Sequence, residues 1–270
     1  MPLEQVQRYL TAYLRNPEFR RRVRGGMREQ AEREMCLDTA DTDLVRKISL
    51  DDLDRAAGGL RDERQTKREA EFKQFTDNLA CFGPVSNFFE EFDAEYPEGL
   101  LSRPLEMDRF LDFSTKFVLN HGLPDYLLDL LRFCYYYVKV SDMPRDRSTA
   151  VLEELPPGGL QPHHRLRLRR PYRVVAFRYD VLWLAQSPPS PGLAMTPPNP
   201  TELLIQKNWA RFKQTVALRT SELPFYRGLA DGPASIIDLI SMGSPADYSW
   251  AVAHLQELFQ RGVLEVPLDG

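Results

Sequence analysis

The stretches ELLIQKN (202–208), TVALRTS (215–221), SELPFYRGLADGPASIIDLI (221–240) and DYSWAVAHLQELFQRGVLEV (247–266) decide how this chain is read. Leu203 and Ile205, then Val216 and Leu218, recur at a period of two, as in strands with one buried face. Three compact segments with helical spacing follow. Ser221 is placed to cap the first, which carries Leu223, Tyr226 and Leu229. Asp231-Gly232-Pro233 turns the chain into the second, 235–241, with Ile236, Ile237 and Ile240 expected in the core. Asp247 is placed to cap the third and longest, with Ala251, Val252, Leu255, Leu258 and Phe259 inward. Gly262 stops it and VLEV returns as a strand. Short strands, three helices and a closing strand form the layout of a small winged helix. Such a unit offers an open sheet edge beside a groove, where a guest peptide can add as a strand.

Ahead of that unit the first 150 or so residues read as helix after helix. Leu3, Val6, Leu10, Tyr13 and Leu14 share one face, and Asn16-Pro17 restarts the helix with Phe19 and Val23 continuing the stripe. Ser49 caps a segment carrying Leu53, Leu60, Phe72, Phe75 and Leu79. Its middle, RDERQTKREAEFK (61–73), alternates sign like a solvated face with i,i+4 ion pairs. Pro84 opens a helix with Phe88, Phe89 and Phe92, and another covers 103–120 until His121-Gly122 ends it. DYLLDLLRFCYYYVKV (125–140) is apolar around most of its circumference and so belongs at a domain centre. Its tyrosine hydroxyls need partners if buried. The expected fold class is α+β: a mainly helical N-terminal domain at 1–155, a basic and proline-rich connection with one or more strands at 156–200, and a winged-helix-like recognition domain at 201–270. In the connection, HHRLRLRRPYRVVAFRYDVLWLA (163–185) suits extended chain, and the six prolines of SPPSPGLAMTPPNP (187–200) require a loop.

At 270 residues with net charge −4, the chain has room for two domains and no general attraction to nucleic acid. No apolar run approaches the roughly 20 residues that cross a bilayer, and the amphipathic N-terminus is not a signal peptide, so a cytoplasmic location is expected. The three cysteines are widely spaced, which suggests neither zinc nor disulfides, and Cys134 is expected as a buried apolar thiol. Only four histidines are present. His163-His164 on a strand would point to opposite faces and not share one metal, and His121 and His254 are isolated. There is no nucleophile elbow, phosphate loop, HExxH or dinucleotide fingerprint, and no paired general acid and base, so no catalytic residue and no metal ligand is assigned. Arg165, Arg167, Arg169, Arg170 and Arg173 form a basic strip, with Arg178 just beyond. It fits an acidic partner, DNA, or pairing with the chain's own acids. The last helix argues against DNA, because its exposed face carries Gln256, Glu257 and Gln260 with only Arg261 basic.

Two separated stretches carry a family resemblance. YLRNPEFRRRV with CLDTADTDLVRKISLDDLDRAAGGLRDERQTKREAEFKQF resembles the N-terminal helices of partner proteins found with multinuclear non-heme iron oxidative enzymes of peptide natural-product biosynthesis. TVALRTSELPFYRGLADGPASIIDLI and AVAHLQELFQRGVLEV resemble the winged-helix precursor-recognition element of ribosomally made, post-translationally modified peptides. With YPEGLLSRPLEMDRFLDFSTKF and LPDYLLDLLRFCYYY between them, the similarity covers most of the chain. Within this group the chain is similar to the partner of the 3-thiaglutamate pathway, whose enzyme excises a carbon from a C-terminal cysteine. The resemblance implies a non-catalytic subunit without a cofactor of its own. It would bind the leader of a precursor peptide and dock a multinuclear non-heme iron enzyme that oxidises a residue, often cysteine, in that peptide. The alternative is a winged-helix DNA-binding regulator with a helical sensor domain, and a third reading is a stand-alone enzyme. The helical domain, with Phe88, Phe89, Phe92, Tyr135 and Tyr136, is expected to supply most of the enzyme interface. The leader is expected to pair beside Thr215, Ala217 and Arg219 and lie against the last helix, with Lys213 and Arg219 meeting acidic groups and Trp250 and His254 lining the groove.

Overall fold

A computed structural model describes residues 3–96, 103–144, 150–152, 154–155, 157–208, 214–223, 225–230, 232–242 and 248–268. The chain divides into two compact units, Met1–Leu123 and Pro124–Gly270. The division falls 32 residues before the boundary expected at 155, and the reason lies in one helix of the second unit.

The first unit holds α1 (Leu3–Arg15), α2 (Pro17–Arg22), a π-helical turn (Val23–Met27), α3 (Arg28–Glu34), α4 (Thr39–Arg46), α5 (Leu50–Glu71), α6 (Lys73–Leu79), α7 (Val85–Glu95) and α8 (Arg103–Asn120). The caps read from sequence form. The Asn16 carboxamide accepts from the N–H groups of Glu18 and Phe19 at 2.9 and 3.0 Å, satisfying donors that have no partner inside α2. Ser49 accepts from Asp51 at the start of α5. Gly122, at φ +60°, takes the left-handed position after α8. Val6, Tyr9 and Tyr13 pack with Phe19, Val23, Ala31, Val45 and Leu53 in one core. A second core is aromatic. Phe72, Phe75, Phe88, Phe89, Phe92 and Phe110 are at most 2 % exposed, and Phe88 meets Phe110 edge to face at 5.7 Å. Phe88, Phe89 and Phe92 therefore hold this unit together and are not available to a docking enzyme. The charged run 61–73 is only partly a solvated face. Arg68 is buried, lies over the Phe92 ring at 4.5 Å, and reaches Glu106 at 2.6 Å and Asp93 at 3.3 Å.

The second unit begins with α9 (Tyr126–Asp142) and continues through β1 (Arg165–Leu168), β2 (Tyr172–Phe177), α10 (Val181–Gln186), β3 (Thr201–Asn208), β4 (Gln214–Arg219), α11 (Tyr226–Ala230), β5 (Ala234–Ser235), α12 (Ile236–Met242), α13 (Tyr248–Gln260) and β6 (Leu264–Glu265). Two antiparallel sheets form, ordered β5-β1-β6 and β2-β3-β4. β3 is buried on both faces at Leu203, Leu204, Ile205 and Gln206. On one face lies the apolar cluster of Leu166, Leu168, Leu204, Leu229, Ile236, Leu255, Leu258 and Leu264. The other face meets α9, where Phe133 approaches Phe177 at 6.4 Å. The all-round apolar character of α9 is thus spent on covering a sheet, which moves it out of the helical domain. The connection at 156–200 carries two strands, and both belong to sheets: β1 is the central strand of one and β2 an edge of the other.

Several local expectations are corrected. DVLWLA forms α10 because the Asp180 carboxylate accepts from Trp183 N at 3.1 Å as an N-cap. Ser221 sits inside a 3-10 turn (Thr220–Glu222), and among the described residues it caps no helix. Ser235 caps α12, accepting from Asp238 N at 3.1 Å. Ile237 is exposed and Leu239 takes the core place beside Ile236. Asp247 lies outside the described residues. Gly262 follows α13 at φ +76°, where a Cβ would collide with the Asn208 carboxamide.

Candidate functional site

In β2-β3-β4 the hydrogen-bond pattern can be read from one bond. Lys207 N donates to Pro171 O at 3.2 Å, so the backbone groups of Lys207 point toward β2. Alternation along an antiparallel ladder then turns Leu204 and Gln206 toward β4, where they pair with Leu218 and Val216. Thr215, Ala217 and Arg219 consequently aim their N–H and C=O groups away from β3, at the free side of β4. Among the described residues β4 is the last strand of its sheet.

The same alternation sets the side chains. Val216 and Leu218 lie on the face of Gln206 and Leu204, and Leu218 packs on the cluster that α13 joins through Val252 and Leu255. Thr215, Ala217 and Arg219 take the opposite face, and that face belongs to α9 rather than to solvent. Thr215 is buried. Its carbonyl accepts a 2.5 Å hydrogen bond from the Tyr137 hydroxyl of α9. Burial pushes the Tyr137 pKa up, so the hydroxyl keeps its proton throughout the neutral range. On the other edge, Arg132 reaches the outward Ala176 carbonyl at 3.4 Å.

The other residues singled out from sequence divide into three groups. Arg219 is already engaged, by Glu222 at 2.8 Å and by both oxygens of Asp180 at 3.0 and 3.1 Å. These hydrogen bonds raise its pKa, that from Glu222 first. An acidic ligand group must displace one of these partners rather than find an open guanidinium. Trp250 and His254, one turn apart on α13, stack in parallel at 5.3 Å. Trp250 is 49 % exposed and so offers an aromatic face rather than core packing. His254 Nδ1 faces Glu257 at 3.6 Å, while its buried Nε2 has no partner among the described residues. Lys213 lies outside the described residues. Tyr137 and Arg132 are the contacts that sequence reasoning missed. The signal was present: a tyrosine on an apolar helix must place its hydroxyl somewhere.

The basic strip is largely structural. Arg167 pairs with Glu265 at 2.8 Å, Arg178 pairs with Asp125 at 2.8 Å, and Arg165 donates to Pro233 O. His163 and His164 lie ahead of β1, not on it, with rings 4.7 Å apart. His164 Nδ1 accepts from Gln161 N at 2.8 Å, which occupies one of its nitrogens. Among the described residues no group of three or more His, Cys, Asp or Glu is placed to hold a metal, and no helix is long and apolar enough to cross a membrane. Cys134 is buried, as expected. No protein-family model matches the chain, and no curated protein matches it.

Proposed function

We propose that this chain is a non-catalytic peptide-recognition subunit whose guest adds as a strand to the free edge of β4. The observation that carries the reading is that edge: three successive outward residues, Thr215, Ala217 and Arg219, with the one at Thr215 met by a tyrosine side chain. Main-chain pairing there supplies affinity, and side chains near the edge supply selectivity. The units β1, β5, β6 and α11–α13 act in this reading as a winged-helix-like recognition element, and the exposed Trp250–His254 stack is its aromatic contact. From the family resemblance, the guest is the leader of a ribosomally made precursor peptide, and the partner is a multinuclear iron enzyme that oxidises a residue, cysteine foremost, in the cytoplasm. Tethering the leader raises the local concentration of the modifiable residue at that enzyme.

The test is co-purification of the full chain with the products of neighbouring genes, followed by titration with the short peptide among them. Peptide binding that weakens only modestly with salt supports the reading. Binding to duplex DNA that falls steeply with salt would replace it with the regulator. α13 favours the peptide, because it carries no arginine or lysine, and Arg261, just beyond its end, faces Glu257 at 3.5 Å.

A further inference from the structure

In the first unit, a shallow groove of about 340 Å³ is lined by Arg20, Arg21, Arg24, Asp54, Ala57, Gly58 and Arg61. Four guanidinium groups from α2, the π-helical turn and α5 surround a single carboxylate. That carboxylate is already taken. Asp54 accepts from the Tyr13 hydroxyl at 2.8 Å and pairs with Arg24, which also reaches Asp51 at 2.6 Å. Arg20 donates to the carbonyls of Tyr13 and Leu14, so its position is fixed but its charge is not neutralised by them. Among the described residues Arg61 pairs with Asp62 alone, at 3.9 Å with both side chains largely exposed, and Arg21 has no carboxylate partner. Concentrated positive charge is unexpected on a chain of net charge −4.

A second observation is independent of charge. Gly58 lies inside the 22-residue α5, where glycine is the costliest residue after proline. A Cβ built on it, or on the adjacent Gly59, meets nothing within 4 Å, so no packing among the described residues calls for glycine at either, and of the two Gly58 lines the groove. The contrast with Gly26, whose φ of +90° explains it, is direct. A bare helix backbone on the floor of a groove lets another chain lie close against it.

We infer that this groove binds an extended acidic peptide segment of a partner protein, its carboxylates held by Arg20, Arg21 and Arg61 and its backbone passing over Gly58. Guanidinium forks suit carboxylates in bidentate geometry. No aromatic ring lines the groove, so a nucleobase finds no stacking platform. The site belongs to the first unit and does not depend on the β4 reading.

The experiment is fluorescence anisotropy of a labelled oligo-glutamate peptide against the full chain. We expect binding that weakens between about 0.05 and about 0.3 M salt. Arg21→Glu with Arg61→Glu should reduce affinity about tenfold or more, and both residues are exposed, so the fold should persist by circular dichroism. Arg33→Glu with Lys116→Glu makes the same change in net charge at exposed positions on α3 and α8, outside the groove's lining, and should shift affinity less than about twofold. Gly58→Ala should leave the melting temperature unchanged or raised, yet weaken the peptide about threefold or more. Equal losses in the two double variants would show a net-charge effect and overturn the site. Wild-type affinity in Gly58→Ala would remove the backbone contact and overturn it as well. Displacement by pyrophosphate at the peptide's own affinity would make it a site for a small anion, again against the proposal.

Discussion

Tyr137→Phe tests the β4 edge with the smallest available change. It removes one oxygen and leaves the ring beside Phe133 in place. The lost bond, 2.5 Å to Thr215 O, joins two neutral groups and is worth about 0.5–1.5 kcal/mol net. Thr215 is buried, so part of the cost of an unpaired carbonyl, about 1–3 kcal/mol, adds to it. A stability loss of about 1–2 kcal/mol is expected from urea unfolding. The effect on peptide binding has the opposite sign. An incoming strand needs that carbonyl as an acceptor for its own N–H and must expel the tyrosine hydroxyl to reach it. Without the competitor, the guest gains about 0.5–1.5 kcal/mol, or roughly two- to tenfold in affinity. The assay is an anisotropy titration with the short peptide identified by co-purification as the proposed guest. A protein that is destabilised as expected but binds with unchanged or lower affinity refutes strand addition at Thr215.

Three further outcomes are expected. Ala217→Pro removes an outward N–H from the middle of the edge and should weaken the leader about tenfold or more, with circular dichroism unchanged; wild-type binding by a folded variant rules the edge out. Glu32 is buried in the first unit, and hydrogen bonds from Arg46 first, with Arg28 beside it, hold its carboxyl below the ordinary carboxylate range. Its stabilising contribution is therefore complete above about pH 4.5 and is lost as pH falls through the lower folded value. Glu32→Gln should flatten the dependence of the melting temperature on acid, and an unchanged slope would show that Glu32 does not carry it. A fragment spanning 124–270 should fold alone by circular dichroism and near-ultraviolet signal, whereas 156–270 lacks α9 and should aggregate, because it bares Phe177, Leu203 and Ile205; a monomeric, cooperatively folded 156–270 contradicts the covering role of α9.

Local signals were legible wherever the chain's own neighbours decide the outcome. Asn16, Ser49 and Gly122 do what their side chains or their freedom at positive φ allow within a few residues. β3 and β4 were legible as strands, but their dry faces were not: β3 is buried on both sides at 203–206, and in β4 the buried residue is Thr215, opposite Val216 and Leu218. The failures were tertiary. Nothing in DYLLDLLRFCYYYVKV says whether its apolar surface covers helices or a sheet, so the domain boundary moved from 155 to 123. Arg68 reads like its charged neighbours until Glu106 and Phe92, distant in sequence, arrive beside it. Arg219 looked open for an acidic ligand, since its partner Asp180 lies 39 residues earlier. For the site, the edge residues were legible as an alternation, and their cover by Tyr137 was not.

α9 tends both edges of the sheet, and the two covers differ in kind. Beside β2, Arg132 touches Ala176 O at 3.4 Å, and the neighbouring Arg170, Arg173 and Arg178 are exposed. Charge along an edge is a general deterrent to strand pairing, whatever the incoming sequence. Beside β4 the guard is a neutral hydroxyl on one carbonyl, and the edge is recessed, with Thr215 buried and Ala217 half-buried. A stray strand meeting β4 gains little unless its side chains fit that recess. A fitting strand can engage three outward residues in exchange for one tyrosine hydrogen bond, a net gain of about 0.5–1.5 kcal/mol for each additional bond. A side chain can swing away from its acceptor without unfolding anything, whereas a resident strand could not. The charged edge is therefore suited to staying single and the tyrosine-guarded edge to selective pairing, which is why β4 is the edge proposed for the guest.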